Sequence, residues 1–376
     1  MLNRSELKHA KRWVIKLGSA ILTNYGDGLD PKVIAGLAKQ IDAFKRLGIE
    51  VVIVSSGAIA EGRRRLHGLK FQSIDELQAA AAIGQAALVQ AYELNFAAYD
   101  YCTAQILLTH DDLKNRKRYL NARATLETLL RMNVIPIVNE NDTVVTEEIR
   151  FGDNDSLAAL VANLIQADVL VILTDQQGLY DQHPEFVPDA KLISTIDTKD
   201  PRLKILANQA SKRGGSLGRG GMYTKIKAAQ TAAHSGTTTI IAHGHEPKVL
   251  RKLYQGEHLG TLFQVKQSPL AARKQWLAAH LQEKGYLVVN QCAKEALRSK
   301  GVSLLAVGVI DLGGHFERGD LVCCVDSEGE TIAKGLIHYN YDETLKIKGL
   351  NSKDIINALG YVAESELIHR NNMVVF

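Results

Sequence analysis

A chain of 376 residues is too long for one ordinary hydrophobic core, and its 46% hydrophobic and 23% charged residues fit a soluble protein of two domains. A net charge of +4 is too small to argue for nucleic acid or a membrane surface, and no apolar run approaches the roughly 20 residues of a membrane span. The stretch from Met1 to Trp13 lacks the apolar centre of a signal peptide, and four cysteines without a C-x-x-C pair support neither a disulfide framework nor a zinc site, so the expectation is a cytoplasmic protein.

Residues Trp13 to Ser19 read as a strand running into a glycine turn. Lys16 breaks the apolar alternation there; such a lysine is usually a snorkelling edge residue, but just before Gly18 it also suits a cation aimed at phosphate. Pro31 to Leu47 has helical spacing and stops at Gly48. Glu50 to Ser55 is the next buried strand, and Ser55-Ser56-Gly57-Ala58 turns on small residues into a helix, a usual way for a sheet to bring backbone N–H groups to a ligand. Ile74 to Tyr99 reads as an alanine-rich helix, Thr103 to Thr109 as a strand and Arg118 to Met132 as a helix.

The apolar run from Val134 to Val138 gives way at Asn139 to Asn139-Glu140-Asn141-Asp142, as a buried strand does at a working edge. Gly152-Asp153-Asn154-Asp155 then opens a run of helical spacing. One such cluster is ordinarily a turn or a helix cap. Two in succession, each at the mouth of an apolar element, exceed what capping needs and point to a site for a polar ligand. Asp168 to Asp175 is a nearly continuous apolar strand with Thr174 and Asp175 at its end. Alternating strands and helices over residues 10 to 260 predict a mostly parallel sheet with helices on both faces. Ser56, Asn139 to Asp142 and Asp175 should then share the C-terminal edge of its strands.

Ser211 to Lys225 holds five glycines in fifteen residues, which suits a mobile flap over phosphates, although the Walker pattern is absent. Lys225 at the start of a helix opposes the helix dipole, so a bound anion would offset a cost. A linking helix is expected over Pro269 to Leu281. Beyond it come short strands (Leu287–Asn290, Leu304–Asp311, Leu321–Asp326, Thr331–Ile337), with Asp311–Gly314 and Arg318–Asp320 as turns. Residues 266–376 carry 13 basic and 13 acidic residues and are therefore neutral. The expected domains are 1–265, a linker at 266–280, and a small β-rich domain at 281–376.

Taken in order, V-I-K-L-G-S (Val14–Ser19), S-S-G-A-I-A (Ser55–Ala60), N-E-N-D (Asn139–Asp142), G-D-N-D (Gly152–Asp155), L-T-D-Q-Q-G-L-Y (Leu173–Tyr180) and G-G-M-Y-T-K (Gly220–Lys225) resemble the glutamate 5-kinase family. That family joins an amino-acid kinase fold, an αβα sandwich, to a PUA domain, and the resemblance covers essentially the whole chain. It implies transfer of the γ-phosphoryl group of ATP to the γ-carboxylate of L-glutamate, with Mg2+. Lys16 and Lys225 would flank the transferring group, and Asp155 would hold both. Ser56, Gly57, Asn139, Asp142, Asp153 and Asn154 would meet glutamate. Lys16, Thr174, Asp175, Gly220, Gly221, Met222 and Lys225 would meet ATP. Arg219 departs from the family pattern, which more often has a small polar residue there. The resemblance also implies inhibition by proline, a dimer or tetramer, and hand-off of product to γ-glutamyl phosphate reductase.

The chemistry suits these residue types. A carboxylate is already a nucleophile, so the difficulty is bringing two anions together, which lysines and magnesium ease by neutralising charge. Competing readings are another kinase of this fold (acting on aspartate, acetylglutamate or a nucleoside monophosphate) and RNA binding through the C-terminal domain. Its neutral charge disfavours the latter.

Overall fold

Six-residue apolar runs, each closed by small or polar residues, become the inner strands of an eight-stranded sheet in the computed structural model. The structure describes residues 2–376 apart from positions 24–27, 68, 70, 72, 146–153, 185, 214–220 and 266–282. Two compact units result, residues 1–114 with 121–272 and residues 115–120 with 273–376.

In the first unit the strands are β1 (Arg12–Leu17), β2 (Glu50–Ser55), β3 (Thr103–Leu108), β4 (Ile135–Glu140), β5 (Val169–Thr174), β6 (Thr195–Asp197), β7 (Thr238–His243) and β8 (Thr261–Gln264). Their order is β3-β4-β2-β1-β5-β7-β8-β6, and every pairing is parallel except β7 with β8. All of β5 is buried, and all of β1 and β2 beyond their first residues. Successive side chains point to opposite faces, so burial at every position means that both faces are covered, as the sandwich expectation requires. β1 lies between β2 and β5, so Lys16 is an interior residue and not a snorkelling edge lysine.

The helices are α1 (Ser19–Leu22), α2 (Pro31–Arg46), α3 (Ala58–Arg65), α4 (Ile74–Ala97), α5 (His110–Lys114), α6 (Arg116–Arg131), α7 (Asn154–Ile165), α8 (Arg202–Arg213), α9 (Met222–Ala232) and α10 (Val249–Tyr254). Local chemistry sets several of their ends. Asp30 caps α2 ahead of Pro31, and Ser73 with Glu76 forms a reciprocal capping box on α4. The helices α3 and α4 touch backbone to backbone. A Cβ added at Gly62 would lie 1.8 Å from the Ala80 carbonyl oxygen, and one at Gly84 would lie 1.8 Å from that of Ala58. Only glycine permits that approach.

The second unit holds a five-stranded sheet of β9 (Glu283–Val289), β10 (Val309–Gly314), β11 (Leu321–Val325), β12 (Thr331–Leu336) and β13 (Met373–Val375), in the order β10-β9-β11-β12-β13. It has its own core, including Leu287, Val322, Cys324, Ile332 and Tyr339. Three helices accompany it, α11 (Gln291–Lys300), α12 (Tyr341–Ile347) and α13 (Ile355–Leu359), where the sequence suggested only strands and turns. Asp311–Gly314 is not a turn but the body of β10, paired with β9. Its glycines serve close approach: a Cβ at Gly313 would meet the Tyr286 ring at 2.5 Å, and one at Gly314 would meet Gly285 Cα at 2.5 Å. The strand expected from Leu304 is a single bridge at Leu304 and a 3-10 turn at Ala306–Gly308 before β10 begins. The expected linking helix at 266–280 lies outside the described residues.

Candidate active site

The parallel strands β1, β2, β4 and β5 end on one edge of the sheet, and the polar residues that close them meet there. Lys16 is the penultimate residue of β1. Its Nζ reaches Asp155 Oδ1 at 2.6 Å, and the Nζ of Lys225 reaches the other oxygen, Oδ2, at 3.1 Å. All three side chains are withdrawn from solvent, the residues being 4%, 1% and 2% exposed for Lys16, Asp155 and Lys225. Asp155 enters from the first turn of α7 and Lys225 from the first turn of α9. Thr224 Oγ1 adds a hydrogen bond to Asp155 Oδ2 at 2.7 Å. Burial alone would raise the Asp155 pKa, but the two ammonium groups outweigh it and hold the carboxyl down at about 2. Lys225 is lowered, chiefly by burial, while Asp155 opposes the fall. Among the buried groups two cations face one carboxylate, while the exposed Asp175 acts on Lys225 from outside them, and the buried surplus of positive charge favours an incoming anion.

Beside this cluster, amides interlock. Asn154 Nδ2 donates to Ser56 Oγ at 2.8 Å, to the Ser55 carbonyl at 3.2 Å and to Asn139 Oδ1 at 3.2 Å. Asn139 Oδ1 also accepts from the backbone N–H of Glu140 at 2.9 Å, and Asn139 Nδ2 donates to Gln85 Oε1 at 2.7 Å. Asp142 stands buried in a 3-10 turn just after β4. Its carboxyl is pushed up to about 7 by burial and by the charge of Glu140. Gly57, in the left-handed region at φ 99°, begins α3 and leaves Ser56 at its mouth. At the end of β5, Thr174 Oγ1 donates to the exposed Asp175 at 2.9 Å, and the charge of Asp175 acts on Lys225.

The structure therefore brings together Lys16, Asp155 and Lys225, and separately Ser56, Asn139 and Asn154. Asp153 and Gly220, together with Gly152 and Arg219, lie outside the described residues. Of the flap expected over Ser211 to Lys225, Ser211–Arg213 instead close α8 and Met222–Lys225 open α9, and residues 214–220 lie outside the described residues. Gly221 is the N-cap of α9 and Met222 its first residue, so α9 presents its N-terminus beside the lysines. Sequence reasoning missed Thr224, although it stands inside G-G-M-Y-T-K, and Gln85, which reads as one more polar residue of an alanine-rich helix. The isolated Gly84 before Gln85 is the signal that could have drawn attention to it.

The amino acid kinase family matches residues 11–243, and the PUA domain matches residues 285–359. The chain is 54% identical to the glutamate 5-kinase of Chromohalobacter salexigens over 374 residues, 99% of this chain and 98% of that one. It is 54% identical to the glutamate 5-kinase of Nitrosococcus oceani over 99% of both chains, and 53% identical to that of Hydrogenovibrio crunogenus over 100% of both. Among solved structures it is similar to UMP kinase from Bacillus anthracis, with a TM-score of 0.47 and 17% identity over 69% of this chain and 97% of that one.

Proposed function

The chain belongs to the amino acid kinase family and, within it, to the glutamate 5-kinases, and from that premise we propose that its site transfers the γ-phosphoryl group of ATP to the γ-carboxylate of L-glutamate, the first step of proline synthesis. The observation that carries the reading is the buried Lys16–Asp155–Lys225 cluster with its surplus positive charge. Phosphoryl transfer between two anions needs charge neutralised where it spreads, over the transferring group, and needs no general base when the nucleophile is already a carboxylate. Asp155 holds the two ammonium groups at a fixed separation, so they need not reorganise as the phosphoryl group passes. Ser56, Gly57, Asn139, Asp142, Asp153 and Asn154 bind glutamate in this reading, and Thr174, Asp175, Gly220, Gly221 and Met222 with both lysines bind ATP.

Magnesium would screen the charge of the nucleotide's phosphates. Both oxygens of Asp155 are taken by lysines, whereas Asp175 offers an exposed carboxylate at the end of β5. One carboxylate plus phosphate oxygens is an ordinary magnesium environment. The test of the whole reading is a coupled assay of ADP release with glutamate, aspartate, acetylglutamate and UMP in parallel. Turnover with glutamate alone supports it, and preference for any other acceptor overturns it.

The ammonium group of glutamate needs an ionised Asp142, and that carboxyl titrates near 7. Below its pKa the charge that attracts the ammonium is gone, so kcat/KM for glutamate should fall on the acid side by up to about tenfold per pH unit. Asp142→Asn should remove this acid limb. A limb that survives in the variant would place the titration elsewhere.

Proline keeps the α-amino and α-carboxylate groups and is proposed to compete with glutamate. Asp142→Ala should weaken glutamate and proline together, and loss of glutamate affinity with full proline sensitivity would show separate sites.

Residues 1–265 are proposed as the kinase module and 281–376 as the second, joined by a connector at 266–280. A fragment lacking residues 270–376 should stay folded by circular dichroism and keep most of its kcat. A folded but inactive fragment would show that the second module completes the site. Among the described residues no helix is long and apolar enough to cross a membrane. A cytoplasmic homo-oligomer that passes its product to γ-glutamyl phosphate reductase accords with the reading, and sedimentation alone and with that reductase tests it.

A further inference from the structure

Gln85 follows Gly84 on α4, in the helix contact that allows no side chain. Two backbone groups dictate which way the neighbouring amides face. The Glu140 N–H can only donate, so Asn139 must turn Oδ1 toward it and Nδ2 away, where Gln85 Oε1 accepts at 2.7 Å. The Ser55 carbonyl can only accept, so Asn154 must turn Nδ2 toward it. This polarity leaves two atoms over. Among the described residues, Gln85 Nε2 is a donor without a hydrogen-bond partner, on a residue only 8% exposed, and Asn154 Oδ1 is a buried acceptor without one. A buried polar atom left unpaired is costly and uncommon, and here two of opposite sense are linked through Asn139 alone.

A ligand that pairs both must carry a donor and an acceptor a short distance apart. The ammonium and carboxylate on the α-carbon of an amino acid do so. We propose that Gln85 is a substrate-binding residue, its Nε2 donating to the α-carboxylate of the amino-acid substrate while Asn154 Oδ1 accepts from the ammonium group. This rests on the glutamate reading above. It adds a residue that selects for the free α-carboxylate, a group the transfer itself does not use.

Two variants separate binding from support. Gln85→Glu keeps an oxygen for Asn139 Nδ2 but replaces the donor by an acceptor, and Gln85→Met keeps bulk and removes both. Wild-type turnover of glutamate is measured first, so failure of the functional reading shows there and failure of the Gln85 assignment shows in the variants. Losing a hydrogen bond to a charged group should raise KM for glutamate about 10- to 100-fold in both variants, with KM for ATP and kcat within about threefold of wild type. A normal Gln85→Glu beside an impaired Gln85→Met would reduce Gln85 to a prop for Asn139 and overturn the proposal. So would normal KM values in both variants, or a rise in KM for ATP that keeps pace with that for glutamate.

Discussion

Lys225→Ala is expected to lower kcat about 100- to 1000-fold, with a far smaller change in KM for glutamate. The asymmetry follows from where the charge sits. The Lys225 ammonium is buried in the first turn of α9 and pinned to Asp155 Oδ2 at 3.1 Å, among the residues assigned to the transferring phosphoryl group. Glutamate's own α-groups are assigned to other residues, so its ground-state binding should survive. The variant also removes the positive surplus, leaving Lys16 and Asp155 as a balanced pair. Coupled kinetics with each substrate varied would decide it: a variant with near-normal kcat would make Lys225 only a buried counter-charge for Asp155.

A wider failure is expected from Asp155→Ala, in which rate and stability fall together. Removing the carboxylate leaves two buried ammonium groups facing each other, and breaking a buried ion pair from one side typically costs about 3–5 kcal/mol. In a chain of this size that should lower Tm by about 4–6 °C. Either lysine can escape the penalty by shedding its proton, which removes the charge the reaction needs, so kcat should fall at least about 1000-fold. Acid melting adds a signature. The folded Asp155 carboxyl sits near 2, below its ordinary 3.8, so its contribution is complete above about pH 4 and is lost as pH falls toward 2. The wild-type protein should lose that increment over this window and the variant should have none to lose. An unchanged Tm with unchanged acid melting would show that the lysines do not depend on Asp155.

What could be read from sequence follows a physical rule. Lys16 was conspicuous because a charge stood inside an apolar strand, and the two acid–amide clusters because each closed an apolar element. The alternation of runs was enough to expect a parallel sheet, since strands such as β5 are apolar at every position. Contacts that arise only when two helices meet were silent. Gln85 has the same character in sequence as any polar residue on a solvated helix face, and only the packing of α4 against the end of β4 places it against Asn139. The glycines of β10 misled for the opposite reason: glycine permits both a turn and a crowded strand, and Tyr286 across the sheet decides between them. The same ambiguity widened the expected flap, whose first residues complete α8.

The glycine contact between α3 and α4 works as a one-way gauge. With the two backbones already touching, no substitution at Gly62 or Gly84 can bring the helices closer, and every side chain added there can only wedge them apart. Ser56 stands at the mouth of α3 and Gln85 rides on α4, so on the proposed assignment the spacing of two residues that meet the amino acid is set at its lower stop. On that assignment, drift or design at positions 62 and 84 is expected only to widen the site, and any narrowing would have to come from side chains elsewhere around it.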